Sequence, residues 1–174
     1  MNIHPIFVHF PIALLTVYAI AELIRFKKII ETPYYFYVKA VLVIAGTLSS
    51  SLALQTGELA EHLLGERGSK LIDSHATFAT ISTDIFAILA VVYLLIWISK
   101  TSWNTKINEF KNGIFAKIWN LLVSTANKII SSPLSFILAF IGLIAVTVTG
   151  ALGGAIVYGP TVDPIVSFIY NLVM

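Results

Sequence analysis

Four histidines, His4, His9, His62 and His75, are the only imidazoles in the 174-residue chain. A neutral imidazole is a ligand for haem iron, zinc, copper and non-haem iron. Carboxylates stand near two of the four. Glu58 lies one helical turn before His62, so the two share a helix face. Glu61 adjoins His62, and Asp73 precedes His75 by two residues. There is no cysteine. That excludes disulfides, thiolate metal sites and covalently attached haem c. No phosphate loop, HExxH string or nucleophile–base pair occurs either.

The elements that must hold these histidines are membrane helices. Hydrophobic residues make up 57% of the chain and charged residues 11%, with a mean hydropathy of +0.89. A soluble domain carries about 25% charged residues. A bilayer core needs about 20 apolar residues per helix, and four runs meet that length: about 6–26, 36–58, 76–98 and 134–157. The first run lacks the basic lead and small-residue site of a cleaved signal peptide. The expected fold is all-α, an integral membrane four-helix bundle forming one transmembrane domain over 1–174.

Lysine and arginine fall mostly on one side. The stretches 25–39 and 100–132 hold nine of the eleven basic residues, and only Arg67 and Lys70 lie on the other side. The positive-inside rule then places both termini outside an inner (cytoplasmic) membrane of a bacterium or archaeon. The basic residues line the cytoplasmic leaflet, which leaves no cause to expect nucleic acid as a partner. Between spans 3 and 4, apolar residues recur at Ile107, Phe110, Ile114, Ile118, Leu121, Leu122 and Ile129, with lysines between them and Trp103 and Trp119 as anchors. That 3.6-residue period predicts an interfacial amphipathic helix over about 106–130. Asp163-Pro164 reads as a cap and first-turn proline for a short outer helix, 164–174.

Three stretches resemble one family. HPIFVHFPIALL at 4–15, TGELAEH at 56–62 followed by His75, and TGALGGAIVYG at 149–159 are similar to the DUF2231 family of bacterial predicted membrane proteins. The resemblance covers most of residues 3–160. It implies a redox setting by association, since some relatives are joined to cytochrome-type domains. Many relatives carry a histidine between the glycines of the fourth helix, where this chain has Ala151.

With the termini outside, all four histidines fall at the outer face. His4 is expected at the water boundary, and His9 about 8 Å deeper and inside the bundle. His75 is expected in the first turn of span 3, capped by Asp73 or Ser74. Gly150, Gly153 and Gly154 leave span 4 nearly bare and could admit a flat ligand or close helix packing. The leading reading is a b-type cytochrome-like protein. It would bind haem b through His9 with His75 or His62, and pass electrons in a membrane redox chain with quinone or a redox protein at the outer face. A non-haem site for zinc, iron or copper from His9, His75, His62 and Glu58 is an alternative. A cofactor-free assembly subunit, or a homo-oligomer, is another. An electron-transfer or accessory role fits better than a stand-alone enzyme.

Asp84 lies near the middle of span 3. A charge there costs at least about 2.5 kcal/mol, so the carboxyl is expected to face the bundle. Its expected neighbours are Ser49, Ser50, Ser51 and Thr80, and its expected role is a proton relay or a hydrogen-bonding strut. Glu22, nearer the cytoplasm, is expected to pair with Arg25 or Lys39.

Overall fold

Each long apolar run becomes a helix because no other backbone arrangement satisfies its own N–H and C=O groups in lipid, apart from a closed barrel. The computed structural model describes residues 4–24, 26–64, 69–102 and 114–174, and no strand occurs among them. The helices are α1 (His4–Leu23), α2 (Lys27–Ile30), α3 (Tyr35–Leu64), α4 (Lys70–Ser99), α5 (Ile114–Ser131), α6 (Pro133–Tyr158) and α7 (Pro164–Val173). Helices α1, α3, α4 and α6 are long and apolar enough to cross a membrane. Each packs on two neighbours, in the cyclic order α1, α3, α4, α6.

The lengths depart from expectation at the histidine end. Helices α3 and α4 run for 30 residues each, about 45 Å against a hydrocarbon core of about 30 Å. Helix α4 therefore begins at Lys70, with Ser69 at its N-cap rather than Asp73 or Ser74. His75 lies beyond the first turn. The cap expected at Asp163 is present: its Oδ1 accepts from the Ile165 and Val166 amides at 2.8 and 2.9 Å. Helix α6 starts with Pro133 after a capping Ser132.

One inward seam organises α1. His4, Val8, Pro11, Leu15, Tyr18 and Glu22 follow alternating steps of four and three, and from Pro11 to Glu22 all are buried. Leu15 and Tyr18 join Val43 of α3, Phe86, Leu89 and Tyr93 of α4, and Ala139 and Val146 of α6 in one core. The opposite faces present Phe10, Val17, Leu48 and Ile144 outward, an apolar girdle of the kind lipid covers.

Close helix approach rests on Gly46. A Cβ there would stand 2.6 Å from Cδ2 and 2.8 Å from Cγ of Leu15, which is itself buried. Gly46→Val is expected to force α1 and α3 apart and to cost about 1–3 kcal/mol. A fall in the thermal unfolding midpoint of the detergent-solubilised protein checks this.

The amphipathic helix between spans 3 and 4 is α5. Its C-terminal part docks, with Ala126 buried against Val92 and Ile96 of α4. Ile114, Phe115 and Leu121 remain outward, Phe115 at 71% exposure, as befits a helix lying in the interface plane. The expected start near residue 106, and with it Trp103, Ile107 and Phe110, lies outside the described residues.

Candidate functional site

The end of the bundle away from the basic loops brings two histidines together, and they are His4 and His75. Their ring centroids stand 6.5 Å apart and the planes cross at 86°. His4 is the first residue of the α1 seam, so its ring turns toward α3 and α4. His75 reaches its place from α4.

Each ring is held by its Nδ1. Thr149 offers a carbonyl oxygen 3.0 Å from His75 Nδ1; a carbonyl only accepts, so Nδ1–H donates. His4 Nδ1 lies 3.1 Å from Thr56 Oγ1, and that hydroxyl donates its own proton to the Ala53 carbonyl at 2.9 Å. His4 Nδ1 is then the donor in this contact as well. In the neutral rings the lone pair of both histidines sits on Nε2. A glycine backs each ring. A Cβ on Gly57 would stand 3.2 Å from His4 Cε1, and a Cβ on Gly153 3.2 Å from His75 Cε1.

His9 does not enter the bundle, contrary to expectation. It is exposed, and its Nδ1–H donates to the Pro5 carbonyl at 2.7 Å on its own helix. The reason is angular. Five residues separate His9 from His4, about 140° around the helix, so only one of them can lie on the seam. Depth alone suggested His9, whereas the seam selects His4. His62 and Glu58 are exposed near the end of α3, and Glu61 is half-buried. Among the described residues, no three histidines or carboxylates come together as a metal-ligating group. The four-ligand set of His9, His75, His62 and Glu58 is therefore not assembled.

The glycines of α6 divide their work. Gly153 seats the His75 ring, and Gly154 faces Val166 of α7, while a Cβ on Gly150 would meet nothing within 4 Å. Ala151 is buried in the cluster that joins α6 to Val166 and Ile169 of α7.

The buried carboxyl is Glu22, not Asp84. Glu22 is 2% exposed; its Oε2 accepts from Lys39 Nζ at 2.8 Å and from Tyr93 OH at 2.6 Å. That confirms the expected Lys39 pairing, and Arg25 lies outside the described residues. Asp84 faces outward from α4. Its neighbour in sequence, Thr83, turns inward instead and shares a hydrogen bond with Ser50 of α3. A shift of one residue is about 100° of rotation, enough to exchange inside for outside. Thr56 and Thr149 escaped the sequence reading as partners of the rings; the step-of-four-and-three seam that carries His4 was the signal that could have led to them.

Four apolar spanning helices around a largely apolar core, with a histidine pair at one end, define a small multi-pass α-helical membrane protein in contact with the lipid bilayer. The comparisons agree. The chain belongs to the DUF2231 family, described as a predicted membrane protein, whose family model matches residues 1–163. No curated protein and no solved structure matches the chain.

Proposed function

We propose that the protein is a b-type cytochrome in which His4 and His75 would hold one haem, which would supply electron transfer. The observation that carries this is the nearly perpendicular imidazole pair with both Nδ1 atoms engaged. A zinc or non-haem iron site needs three or four protein ligands. Haem iron needs only an axial pair, because the macrocycle supplies the rest. The donor set therefore fits haem better than a bare ion.

Haem ligated on both sides supplies one-electron chemistry. The chain's own contribution is to fix the tautomers. Hydrogen bonds at Nδ1 orient each ring and raise the basicity of Nε2. The excess of lysine and arginine at the other end of the bundle supports an orientation with the histidines at the outer face of a cytoplasmic membrane. A quinol or redox protein there is the partner this position suits.

An absorption spectrum tests the reading. Detergent-purified protein from haem-replete cells should show a Soret band, and sharp α and β bands after dithionite. A colourless protein would sink the proposal, and stoichiometric zinc or copper by elemental analysis would replace it with a bare-ion site. Thr56→Val removes the acceptor for His4 Nδ1 and is expected to weaken haem affinity about 10–100-fold, as read by haem transfer to an apo-globin.

A further inference from the structure

Where α1 gives way to α3, around the short helix α2, the surface holds two grooves. One is lined by Ile20, Leu23, Ile24 and Phe26 and presents only apolar side chains, over about 460 Å³. The other, of about 380 Å³, is lined by Lys28, Ile29, Thr32, Tyr34, Tyr35 and Val38. Both lie at the basic end of the bundle, where lysine and tyrosine side chains meet lipid headgroups. The second groove differs in kind from the first, because it sets a cation and hydroxyls between apolar walls.

The polar groups of that groove that are open to a ligand are donors. Lys28 is exposed, and no carboxylate pairs with it among the described residues. Glu31, the nearest acid in sequence, is held by Lys27 instead, at 3.8 Å. An ammonium offers three donors and no acceptor. Tyr34 is exposed and brings a hydroxyl that can donate. The other two hydroxyl protons are already engaged. Thr32 Oγ1 donates to the Lys28 carbonyl at 3.2 Å, and the Tyr35 hydroxyl donates to the Ala21 carbonyl. None of the six lining residues is an acid. Ile29 and Val38 supply exposed apolar walls. The complementary ligand is an anion that accepts hydrogen bonds and is joined to an apolar body.

We infer that this groove binds one anionic phospholipid, with its phosphate on Lys28 and Tyr34 and its apolar part along Ile29 and Val38. Charge complementarity selects this occupant. A zwitterionic lipid would bring a quaternary ammonium beside Lys28 as well, with no carboxylate in the lining to receive it. Inorganic phosphate would satisfy the donors but leave Ile29 and Val38 in water, at a cost that an acyl chain removes. Basic grooves at the ends of spanning helices take acidic headgroups for the same reasons. The site lies at the opposite end of the bundle from His4 and His75 and does not depend on what they hold.

Native mass spectrometry of the detergent-purified full chain, titrated with phosphatidylglycerol or with phosphatidylcholine, tests this. One phosphatidylglycerol per chain should bind more tightly than any phosphatidylcholine. Lys28→Ala should weaken that binding about fivefold, the contribution of one lysine beside acidic headgroups, and Lys28→Arg should retain it. Lys117→Ala is the control, because Lys117 is exposed on α5 and lines neither groove; it should leave the affinity unchanged. Both lysines are exposed, so the variants should keep the wild-type far-UV circular dichroism. Equal affinity for the two lipids would overturn the inference. So would equal losses in Lys28→Ala and Lys117→Ala, which would mean general attraction to a basic surface. Displacement of the lipid by an equal concentration of inorganic phosphate would replace the lipid site with a phosphate site.

Discussion

Replacing His75 by alanine is expected to leave the bundle folded and, on the haem reading, to abolish haem binding, and replacing His4 should do the same. Either change takes away one of the two imidazoles proposed to hold the haem, a larger loss than the roughly 10–100-fold that follows removal of a supporting hydrogen bond. His9→Ala is the decisive control. His9 is exposed and bonded to its own helix, so the variant should keep its Soret band, as should His62→Ala at the exposed end of α3. Spectra and far-UV circular dichroism of the four variants, purified together, check this. Full occupancy in His4→Ala alongside loss in His9→Ala would reverse the assignment.

The second large effect is expected at the other end of the bundle. The Lys39 and Glu22 side chains are 13% and 1% exposed, and Glu22 also takes the Tyr93 hydroxyl. Lys39→Met leaves a buried carboxyl with the Tyr93 hydroxyl as its remaining hydrogen-bond donor among the described residues. Breaking a buried pair from one side costs about 3–5 kcal/mol. Glu22→Gln is expected to cost less, below about 2 kcal/mol, because the long Lys39 stem can carry its ammonium toward water. The double change Glu22→Leu with Lys39→Met should recover most of the Lys39→Met loss, since an apolar replacement of both partners leaves no buried charge. Thermal unfolding of the three variants in one detergent measures the asymmetry. Equal losses in Lys39→Met and Glu22→Gln would show that Glu22 is better solvated than its burial indicates.

How far the sequence reaches is visible in single residues. Glu22 could be paired with Lys39 from depth alone, because both lie about a turn from the basic end and few partners compete. The Asp163 cap was legible because capping is local chemistry, decided within three residues. Asp84 was not. Its depth was plain, but its direction turns on rotation about α4, and no charge or proline nearby reports that rotation.

The sequence by itself determined that the chain crosses a membrane with four helices, about where those helices lie except at the histidine end, and that an amphipathic helix joins the last two. Those properties follow from transfer free energy and hydrogen-bond closure, which each segment settles alone. Only the tertiary structure decided which histidine faces which. That choice depends on helix rotation, which is set jointly by Leu15 against Gly46, Phe86 against Gly142 and the His4 and His75 rings against Gly57 and Gly153. Packing among four helices is a collective property, and a turn of 100° about any one of them exchanges an inward side chain for a lipid-facing one.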